Sequence, residues 1–291
     1  MTQSFPWPDG RRLAASLTFD MDGEATAYII DRAHAHERLS LMSEYAYGPS
    51  VALPKILRLL EEYEIRATFF VPGFVAELHP EGIEAIVRGG HELAHHGYMH
   101  ENPVGLPEDY DEEILLKGIE VFERLVGVRP VGYRSPAAEN KPSTPALLKR
   151  HGFRYDSSMG GSDYPYLVAT PHGPLVELPG AHSDWQHFGY SQNPKVGTGI
   201  SSPNKVLDVF AREFDGLYDR GAIFVSVHHP MVAGRPSRLL MLERLIRHMR
   251  RFPRVWWATT DEIARHCETV ADRLATVKPE IPAPNWLRPP V

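Results

Sequence analysis

Apolar runs alternate with amphipathic segments along most of the chain. Residues 13–19, 65–71 and 222–227 form short apolar runs, which are typical of buried strands. Residues 50–63 and 108–126 repeat their apolar side chains at helical spacing, and a glycine directly follows the second segment. This alternation of strand and helix predicts a parallel α/β sheet or barrel.

The remaining predicted elements are shorter and are separated by loops rich in glycine and proline. They are helices at residues 80–88, 143–151, 203–218, 237–251 and 260–274, and strands at residues 129–136, 153–157, 175–178 and 255–258. Residues 25–48 have no clear period, so we expect a long, partly helical excursion that acts as a lid. No linker or repeat divides the chain, which predicts one domain over residues 1–291 with a proline-rich arm at residues 278–291.

Composition narrows the class of protein. With 43% hydrophobic residues the chain can bury a core, and a net charge of −6 argues against a nucleic-acid-binding surface. The apolar runs are too short to span a bilayer, and no secretory signal is visible at the amino terminus. A single cysteine, Cys267, rules out an internal disulfide and fits a reducing compartment. We therefore expect a cytoplasmic protein without membrane or nucleic-acid partners.

Four histidines lie close together in the segment GGHELAHHGYMHENP at residues 89–103. They form two His-x-x-x-His pairs, His91 with His95 and His96 with His100. Imidazole is a natural ligand for a borderline metal ion. With 15 histidines in the chain, however, roughly 0.8 such pairs are expected from composition alone. The spacing by itself is weak evidence and does not choose between the two pairs.

Other chemically active side chains lie where a predicted strand gives way to a loop. With the histidine pair, the set comprises Asp20 and Asp22, His96 and His100, Arg134, and His228 and His229. In a parallel α/β barrel these strand ends gather on one face, where active sites lie. Two histidines and a carboxylate make a three-ligand metal site with open positions, and zinc lowers the pKa of a bound water to about 7. A second carboxylate and a further histidine can serve as base and acid, so the set predicts metal-assisted hydrolysis.

Two other functional classes are open at this point. Two histidines and a carboxylate also describe non-haem iron oxygenases, although the strand–helix alternation speaks against that class. A non-catalytic protein with the same barrel fold could also use this site to bind a ligand. The presence of both a candidate base and a candidate acid disfavours that alternative.

Five short motifs, in order along the chain, resemble those of the polysaccharide deacetylase family, also called the NodB-homology domain. They are FDMDG at residues 19–23, HGYMH at 96–100, YRSP at 133–136, SDW at 183–185 and VHHP at 227–230. The resemblance covers roughly residues 13–262. It implies a deformed (β/α) barrel that hydrolyses a carbon–nitrogen amide bond.

The resemblance also implies the metal ligands. They are Asp22 of the first motif and the pair His96 and His100. His91 and His95 are then not ligands and belong to the strand that precedes the motif. A divalent metal is expected, with zinc as the family expectation and iron, cobalt or manganese as alternatives that the same ligand types accept.

The resemblance assigns the acid–base machinery to the remaining motif residues. Asp20 matches the general base, and Arg134 matches an arginine that orients the base through a carboxylate. Asp184 is our candidate for that carboxylate, with Asp163 as its competitor and Trp185 shaping the substrate pocket.

The general acid is expected at His229, directly before Pro230. The neighbouring His228 would then point the opposite way along the strand. The choice between these two histidines rests mainly on the resemblance.

The chain departs from the common family pattern at its first motif. Met21 separates Asp20 from Asp22, which are usually adjacent, and the excursion at residues 24–48 follows. These features and the opening WPDGRR resemble a peptidoglycan-deacetylase-like subgroup, whose relatives hydrolyse cyclic amides such as allantoin and cyclic imides. The substrate is therefore open between an amino sugar or polysaccharide and a small cyclic amide or imide. The subgroup also implies a homo-oligomer, either a dimer or a tetramer.

Overall fold

Ten strands form one sheet in the computed structural model, which describes residues 5–180, 183–188 and 201–280. The strands are β1 Leu13–Asp20, β2 Thr68–Val71, β3 Glu92–His95, β4 Gly132–Tyr133, β5 Tyr155–Asp156, β6 Tyr166–Val168, β7 Leu175–Glu177, β8 Ile223–His228, β9 Val255–Trp257 and β10 Thr276–Val277.

Helices connect and cover these strands. Over the described ranges the α-helices are α1 Ala25–Ile30, α2 Leu39–Tyr47, α3 Leu53–Glu62, α4 Gly73–Leu78, α5 Pro80–Arg88, α6 Glu108–Val126, α7 Thr144–Arg150, α8 Trp185–Phe188, α9 Pro203–Arg220, α10 Pro230–Ala233, α11 Pro236–Met249 and α12 Thr260–Thr269. A π-helical stretch, Gly48–Ala52, joins α2 to α3, and short 3₁₀ turns occur at Pro8–Gly10, Ala35–Glu37, Pro136–Ala138 and Ala271–Arg273. No helix within the described residues is long and apolar enough to cross a membrane.

The sheet is parallel except for the antiparallel pair β6 and β7, and it curls into a barrel. Its order is β10, β6, β7, β5, β4, β3, β2, β1, β8, with β9 also paired to β1. Because β8 lies along one edge of β1, the strands β2 and β9 share the other edge. A parallel bridge between Ser183 and Val227 brings the chain after β7 back to β8. The expected deformed (β/α) barrel is confirmed.

The alternation of side chains along β1 separates the outside of the barrel from its interior. Phe19 points outward into an apolar cluster with the helices, where its ring lies 5.0 Å from that of Phe69. Thr18 and Asp20 point inward, where both accept hydrogen bonds from Arg134. The last inward position of β1 therefore places a carboxylate at the mouth of the barrel.

Some elements differ from the prediction. The strand predicted at residues 129–136 is limited to the two residues of β4. So short a strand has no hydrophobic pattern of its own and is defined only by its pairing with β3 and β5. The helix predicted at residues 260–274 ends at Thr269, since the chain must turn for β10 to pair with β6. From residue 281 onward the predicted arm lies outside the described residues, and the assignment of one domain stays a prediction.

Candidate active site

Asp20 and Arg134 form a buried ion pair at the mouth of the barrel. Arg134 Nη1 lies 2.6 Å from Asp20 Oδ1 and 2.8 Å from Thr18 Oγ1. The rest of the guanidinium donates to Ser157, with Nε 3.0 Å from the carbonyl and Nη2 3.0 Å from Oγ. The guanidinium also lies 4.0 Å from the centre of the Phe70 ring. Because Nε, Nη1 and Nη2 of Arg134 all donate to buried partners, the guanidinium is held in one orientation. The Asp20 carboxylate that it binds is therefore held in place as well.

This arrangement corrects the expected partner of Arg134. The arginine contacts Asp20 directly, and neither Asp184 nor Asp163 mediates the interaction. Asp184 instead lies beside the end of β8, because the bridge after β7 carries it there. Asp163 lies at the other end of the same strand, where its carbonyl accepts a hydrogen bond from the Ile223 amide at 3.2 Å.

Asp184 orients His229. Its carboxylate accepts a hydrogen bond from His229 Nδ1 at 2.7 Å and from the backbone amide of His229 at 3.0 and 3.1 Å. The opposite ring nitrogen, Nε2, then faces the site and lies 3.6 Å from Asp22 Oδ2. Burial opposes protonation of this imidazole, but the carboxylates of Asp22 and Asp184 outweigh it and raise the pKa of His229 to about 9. The geometry suits a proton donor.

His228 points away from the site, as the alternation along β8 requires. Its buried ring lies between two aromatic rings, 5.4 Å from Phe210 and 5.7 Å from Phe19. Burial lowers the pKa of His228 to about 4, so this imidazole is neutral. Trp185 is placed on the site side, with its ring 5.3 Å from that of His229.

Asp22, His96 and His100 come together as a cluster with the spacing of metal ligands. His96 Nε2 lies 3.4 Å from Asp22 Oδ1, and His100 Nε2 lies 3.6 Å from Asp22 Oδ2. One ligand atom from each residue lies within 4.8 Å of the others. His96 Nδ1 is 2.7 Å from the Arg134 carbonyl, and this hydrogen bond leaves Nε2 free to bind a metal.

The turn that carries His100 is strained and braced. His100 has a φ of 58°, in the left-handed region, and Gly97 at the start of the turn has a φ of 74°. The carboxylate of Glu101 accepts hydrogen bonds from the amides of Tyr98 at 3.0 Å and Met99 at 2.8 Å. Glu101 is a supporting residue that sequence reasoning missed, and its position next to His100 was the available signal.

The cluster fits a divalent metal. Asp22 Oδ1 is buried and has no hydrogen-bond partner among the described residues, a costly state unless a cation binds it. Burial opposes ionisation of Asp22, but the surrounding imidazoles, above all His100, outweigh it and hold the pKa of Asp22 well below its usual range. Burial lowers the pKa of His100 to about 4. An ionised carboxylate beside a neutral imidazole is the state that metal binding needs.

His91 and His95 lie outside this cluster, as expected. His95 points outward from β3 to the helix α6, where Nε2 is 3.1 Å from the Leu115 carbonyl. Gly118 makes this close approach possible, since a Cβ there would lie 2.2 Å from His95 Nε2. His91 Nδ1 accepts a hydrogen bond from the Ala67 amide at 3.1 Å.

All of the expected site residues except Asp184 line one cavity of about 520 Å³, and Asp184 contacts that cavity's residue His229. Its walls also include lid residues and two small residues after Arg134, namely Thr26, Ile29, Ile30, Tyr45, Ala137 and Ala138. The two alanines have φ values of 59° and 56°, so this wall holds strained backbone. A larger groove of about 1290 Å³ between α3 and α5 contains none of the site residues.

Similarity to known proteins places the chain in a family. A crystal structure from Mycobacterium smegmatis, assigned to the polysaccharide deacetylases, matches with a TM-score of 0.91 and 41% identity, covering 97% of this chain and 98% of that one. The family model described as polysaccharide deacetylase matches residues 33–155. The peptidoglycan deacetylase of Helicobacter pylori is 32% identical over an alignment 276 residues long, which covers 85% of this chain and 94% of that protein. The chain belongs to the polysaccharide deacetylase family.

Membership of the polysaccharide deacetylase family makes the protein a metal-dependent hydrolase of carbon–nitrogen amide bonds. It gives no support to the alternatives of an iron oxygenase or a non-catalytic binding barrel. A structure named Puue allantoinase is also similar to this family member, with a TM-score of 0.78 and 26% identity over 92% of this chain and 94% of that one.

Proposed function

We propose that this polysaccharide deacetylase family member hydrolyses a small amide, with Asp22, His96 and His100 as the ligands of a zinc ion. The observation that carries the proposal is that one cavity collects these ligands, an arginine-bound carboxylate and an aspartate-bound histidine. Iron, cobalt and manganese are the alternatives, because the same ligand set accepts them.

The protein's own residues divide the proton transfers between two sides of the cavity. Asp20 is the general base, which takes a proton from the attacking water while Arg134 fixes the carboxylate. His229 is the general acid, which donates a proton from Nε2 to the departing nitrogen while Asp184 holds Nδ1. When bound, the metal supplies Lewis acidity toward the amide oxygen and lowers the pKa of water. Trp185 bounds the pocket beside the acid.

The shape of the cavity supports a small substrate. Helix α1 places Thr26, Ile29 and Ile30 over the site, and Tyr45 of α2 closes the same side. A cavity of about 520 Å³ falls within the usual range of small-molecule pockets. The similarity to a structure named an allantoinase agrees with a cyclic amide or imide as the substrate.

The second candidate is N-deacetylation of an amino sugar. It is favoured by the peptidoglycan deacetylase of Helicobacter pylori, which is 32% identical over most of both chains. A terminal or fragmentary sugar would enter the cavity more readily than the middle of a polymer, since the lid covers one side of it.

Metal content and hydrolysis of the same variants test the ligand assignment. We expect His96→Ala and Asp22→Ala to lose both the metal and activity, because each removes one of three ligands. Asp20→Asn should keep the metal and lose hydrolysis. His91→Gln, which changes a histidine outside the cluster, is the matched control. Unchanged metal content and hydrolysis in His96→Ala and Asp22→Ala would refute the assignment.

A substrate panel separates the two candidates. The zinc-loaded enzyme is offered cyclic imides and allantoin-like rings in one arm, and chitooligosaccharides and peptidoglycan fragments in the other. Preference for the rings supports our proposal, and preference for the sugars replaces it with the second candidate. Reconstitution with iron, cobalt or manganese in the same assay identifies the working metal.

The cytoplasmic location and the homo-oligomeric state expected from the sequence stay predictions. Light scattering on the purified protein would distinguish a monomer from a dimer or tetramer.

A further inference from the structure

Two buried carboxyl groups lie beside the catalytic cavity and have no part in the proposed proton transfers. Asp156 ends β5 and Glu177 ends β7, and they are direct neighbours in the parallel register of these strands. Both residues are 0% exposed, and within the described residues neither forms an ion pair with a lysine, arginine or histidine. Two adjacent carboxylates in such a setting cannot both be charged without a large cost, so one proton is expected to be shared.

The hydrogen bonds indicate which group carries the proton. Asp156 Oδ1 accepts from Ser158 Oγ at 2.5 Å, and Oδ2 accepts from Asn140 Nδ2 at 2.5 Å, as an ionised carboxylate does. Glu177 Oε1 accepts from the Met159 amide at 2.8 Å, whereas Oε2 is buried without a donor among the described residues. Burial, and then the charge of Asp156, raises the pKa of Glu177 well above its usual value. We therefore assign the shared proton to Glu177, whose carboxyl group interacts with that of Asp156.

This pair is linked to two loops that border the cavity. Ser158 Oγ, held by Asp156, accepts a hydrogen bond from the Ser135 amide at 2.8 Å. Ser135 is followed by the strained wall of Ala137 and Ala138. Asn140, the other partner of Asp156, lies just beyond that wall.

The second loop holds the arginine of the catalytic ion pair. Ser157, which directly follows Asp156, accepts two hydrogen bonds from Arg134, each 3.0 Å long. Ser157 Oγ in turn donates to the carbonyl of Leu178 at 2.8 Å, directly after Glu177. Ser157 therefore connects both strand ends that carry the carboxyl pair to the guanidinium that binds Asp20.

We propose that Asp156 and Glu177 are positioning residues that, as a pair sharing one proton, hold Arg134 and the Ala137–Ala138 wall in their catalytic arrangement. The inference rests on the proposed function, since the arrangement matters only if Asp20 is the base. It assigns a role in hydrolysis to two residues that, among those the structure describes, belong neither to the metal-ligand cluster nor to the lining of the cavity.

Substitutions at Glu177 test the role in hydrolysis. Glu177→Leu removes the donor to Asp156, and we expect kcat to fall at least tenfold while metal content is retained. Glu177→Gln supplies an uncharged N–H donor in the same place and is expected to restore kcat to within about threefold of the wild type, as loss of a single positioning partner costs about 10- to 100-fold.

Glu92 provides the matched control. It is a half-buried carboxyl group whose pKa is also raised by desolvation, but it lies at the start of β3, where it accepts hydrogen bonds from Thr68, Tyr155 and Thr260. Glu92→Leu should lower thermal stability and leave kcat of the folded enzyme unchanged. A fall in kcat for Glu92→Leu equal to that of Glu177→Leu would overturn the positioning role.

The pH dependence of stability gives a readout that does not depend on activity. Because the pKa of Glu177 is raised by folding, the folded state binds the proton more tightly, and stability is lost as pH rises from about 4.3, the ordinary pKa of glutamate. Glu177→Gln has no such proton to lose. The melting temperature of this variant should therefore increase relative to that of the wild type as pH rises. Tyr133 and Tyr166 also face the pair, but burial raises the pKa of each phenol well above its usual value, so both stay neutral.

The two readouts separate the failure of this inference from failure of the proposed function. If wild-type enzyme hydrolyses an amide but Glu177→Gln is as impaired as Glu177→Leu, the positioning role is wrong and the proposed function stands. A melting-temperature difference that stays constant from pH 5 to pH 9 would overturn proton sharing. An inactive wild type with a pH-dependent difference would leave the buried pair intact and refute the proposed function.

Discussion

Asp20 and Asp22 are separated by one residue and yet have different chemical surroundings. Asp20 is the last inward residue of β1 and is held by the guanidinium of Arg134. Asp22 lies beyond the strand, among the imidazoles of His96, His100 and His229. Such different environments suit the different roles that we propose for the two carboxylates, proton transfer for Asp20 and metal binding for Asp22. The intervening residue Met21 therefore changes the spacing of the motif, but Asp20 still contacts Arg134 and Asp22 still lies among the imidazoles.

The partner of Arg134 shows what sequence reasoning could not reach at the scale of the residue. The five motifs identified the charged and imidazole side chains of the site, but not which carboxylate faces which cation. That pairing depends on where the loop after β7 returns to the barrel, and the bridge from Ser183 to Val227 places Asp184 beside His229. A sequence pattern carries no information about a single bridge between two distant segments.

Substitution of Asp184 tests this corrected pairing. Asp184→Asn removes the negative charge that holds His229 Nδ1, so we expect kcat to fall by about 10- to 100-fold, the usual cost of losing such a partner. Asp163→Asn is the matched control, because Asp163 lies at the opposite end of β8 and contributes a backbone carbonyl there. Steady-state kinetics on both variants decide the point. Equal losses in the two variants would contradict the assignment.

At the scale of the element, long periodic segments were predictable and short strands were not. The helix α6 begins and ends at the predicted residues, because its stripe of apolar residues and the glycine after Val126 are both visible in the sequence. The strands β4 and β5 have two residues each, and only their neighbours in the sheet define them. The lid was predicted as partly helical, but the side of α1 that covers the site became visible only in the structure.

The lid is expected to contribute to substrate selection through Ile29. This side chain is 54% exposed and lines the catalytic cavity, which places an apolar surface at the entrance. Contact with an apolar substituent is worth about 0.8 kcal/mol for each methylene removed from water, or about fourfold in kcat/KM. We therefore expect Ile29→Ser to lower the preference for substituted over unsubstituted amides by about fourfold, measured as a ratio of kcat/KM values.

Leu39 offers a matched control for the lid. It is 83% exposed at the start of α2 and does not line the cavity, so Leu39→Ser removes an apolar side chain from the same lid without touching the site. The preference should be unchanged in Leu39→Ser. If Ile29→Ser also leaves it unchanged, the entrance does not select the substrate.

At the scale of the whole molecule, the barrel has a catalytic end and a structural end. The carboxyl ends of β1, β3, β4 and β8 carry the site, whereas helix α12 covers the amino end. Glu92 connects α12 to the strands there, since its Oε2 accepts hydrogen bonds from Thr260 Oγ1 at 3.0 Å and from the Asp261 amide at 2.8 Å. Separation of these two ends allows the catalytic loops to hold strained backbone while the opposite end supplies stability.

The reactivity of the single cysteine, Cys267, measures how often the structural end of the barrel opens. Cys267 of α12 is fully buried, and burial raises the pKa of its thiol to about 12, so a thiol reagent reaches it only after the helix opens. Thr259 caps this helix: its Oγ1 accepts from the Glu262 amide at 3.3 Å, and Glu262 Oε2 accepts from the Thr259 amide at 3.0 Å. Removal of such a cap costs about 1 kcal/mol, which corresponds to about a fivefold larger open population.

We therefore expect Thr259→Ala to increase the rate of Cys267 labelling about fivefold under native conditions, where labelling follows the open population. Thr269→Ala is the control on the same helix, because Thr269 Oγ1 donates to the His266 carbonyl at the exposed carboxyl end and caps nothing at the start. Its labelling rate should stay within about twofold of the wild type, the range of a neutral surface substitution. Equal rates for Thr259→Ala and the wild type would mean that Cys267 becomes reactive through an opening that leaves the start of α12 intact. In that case the amino end of the barrel would not open as one unit.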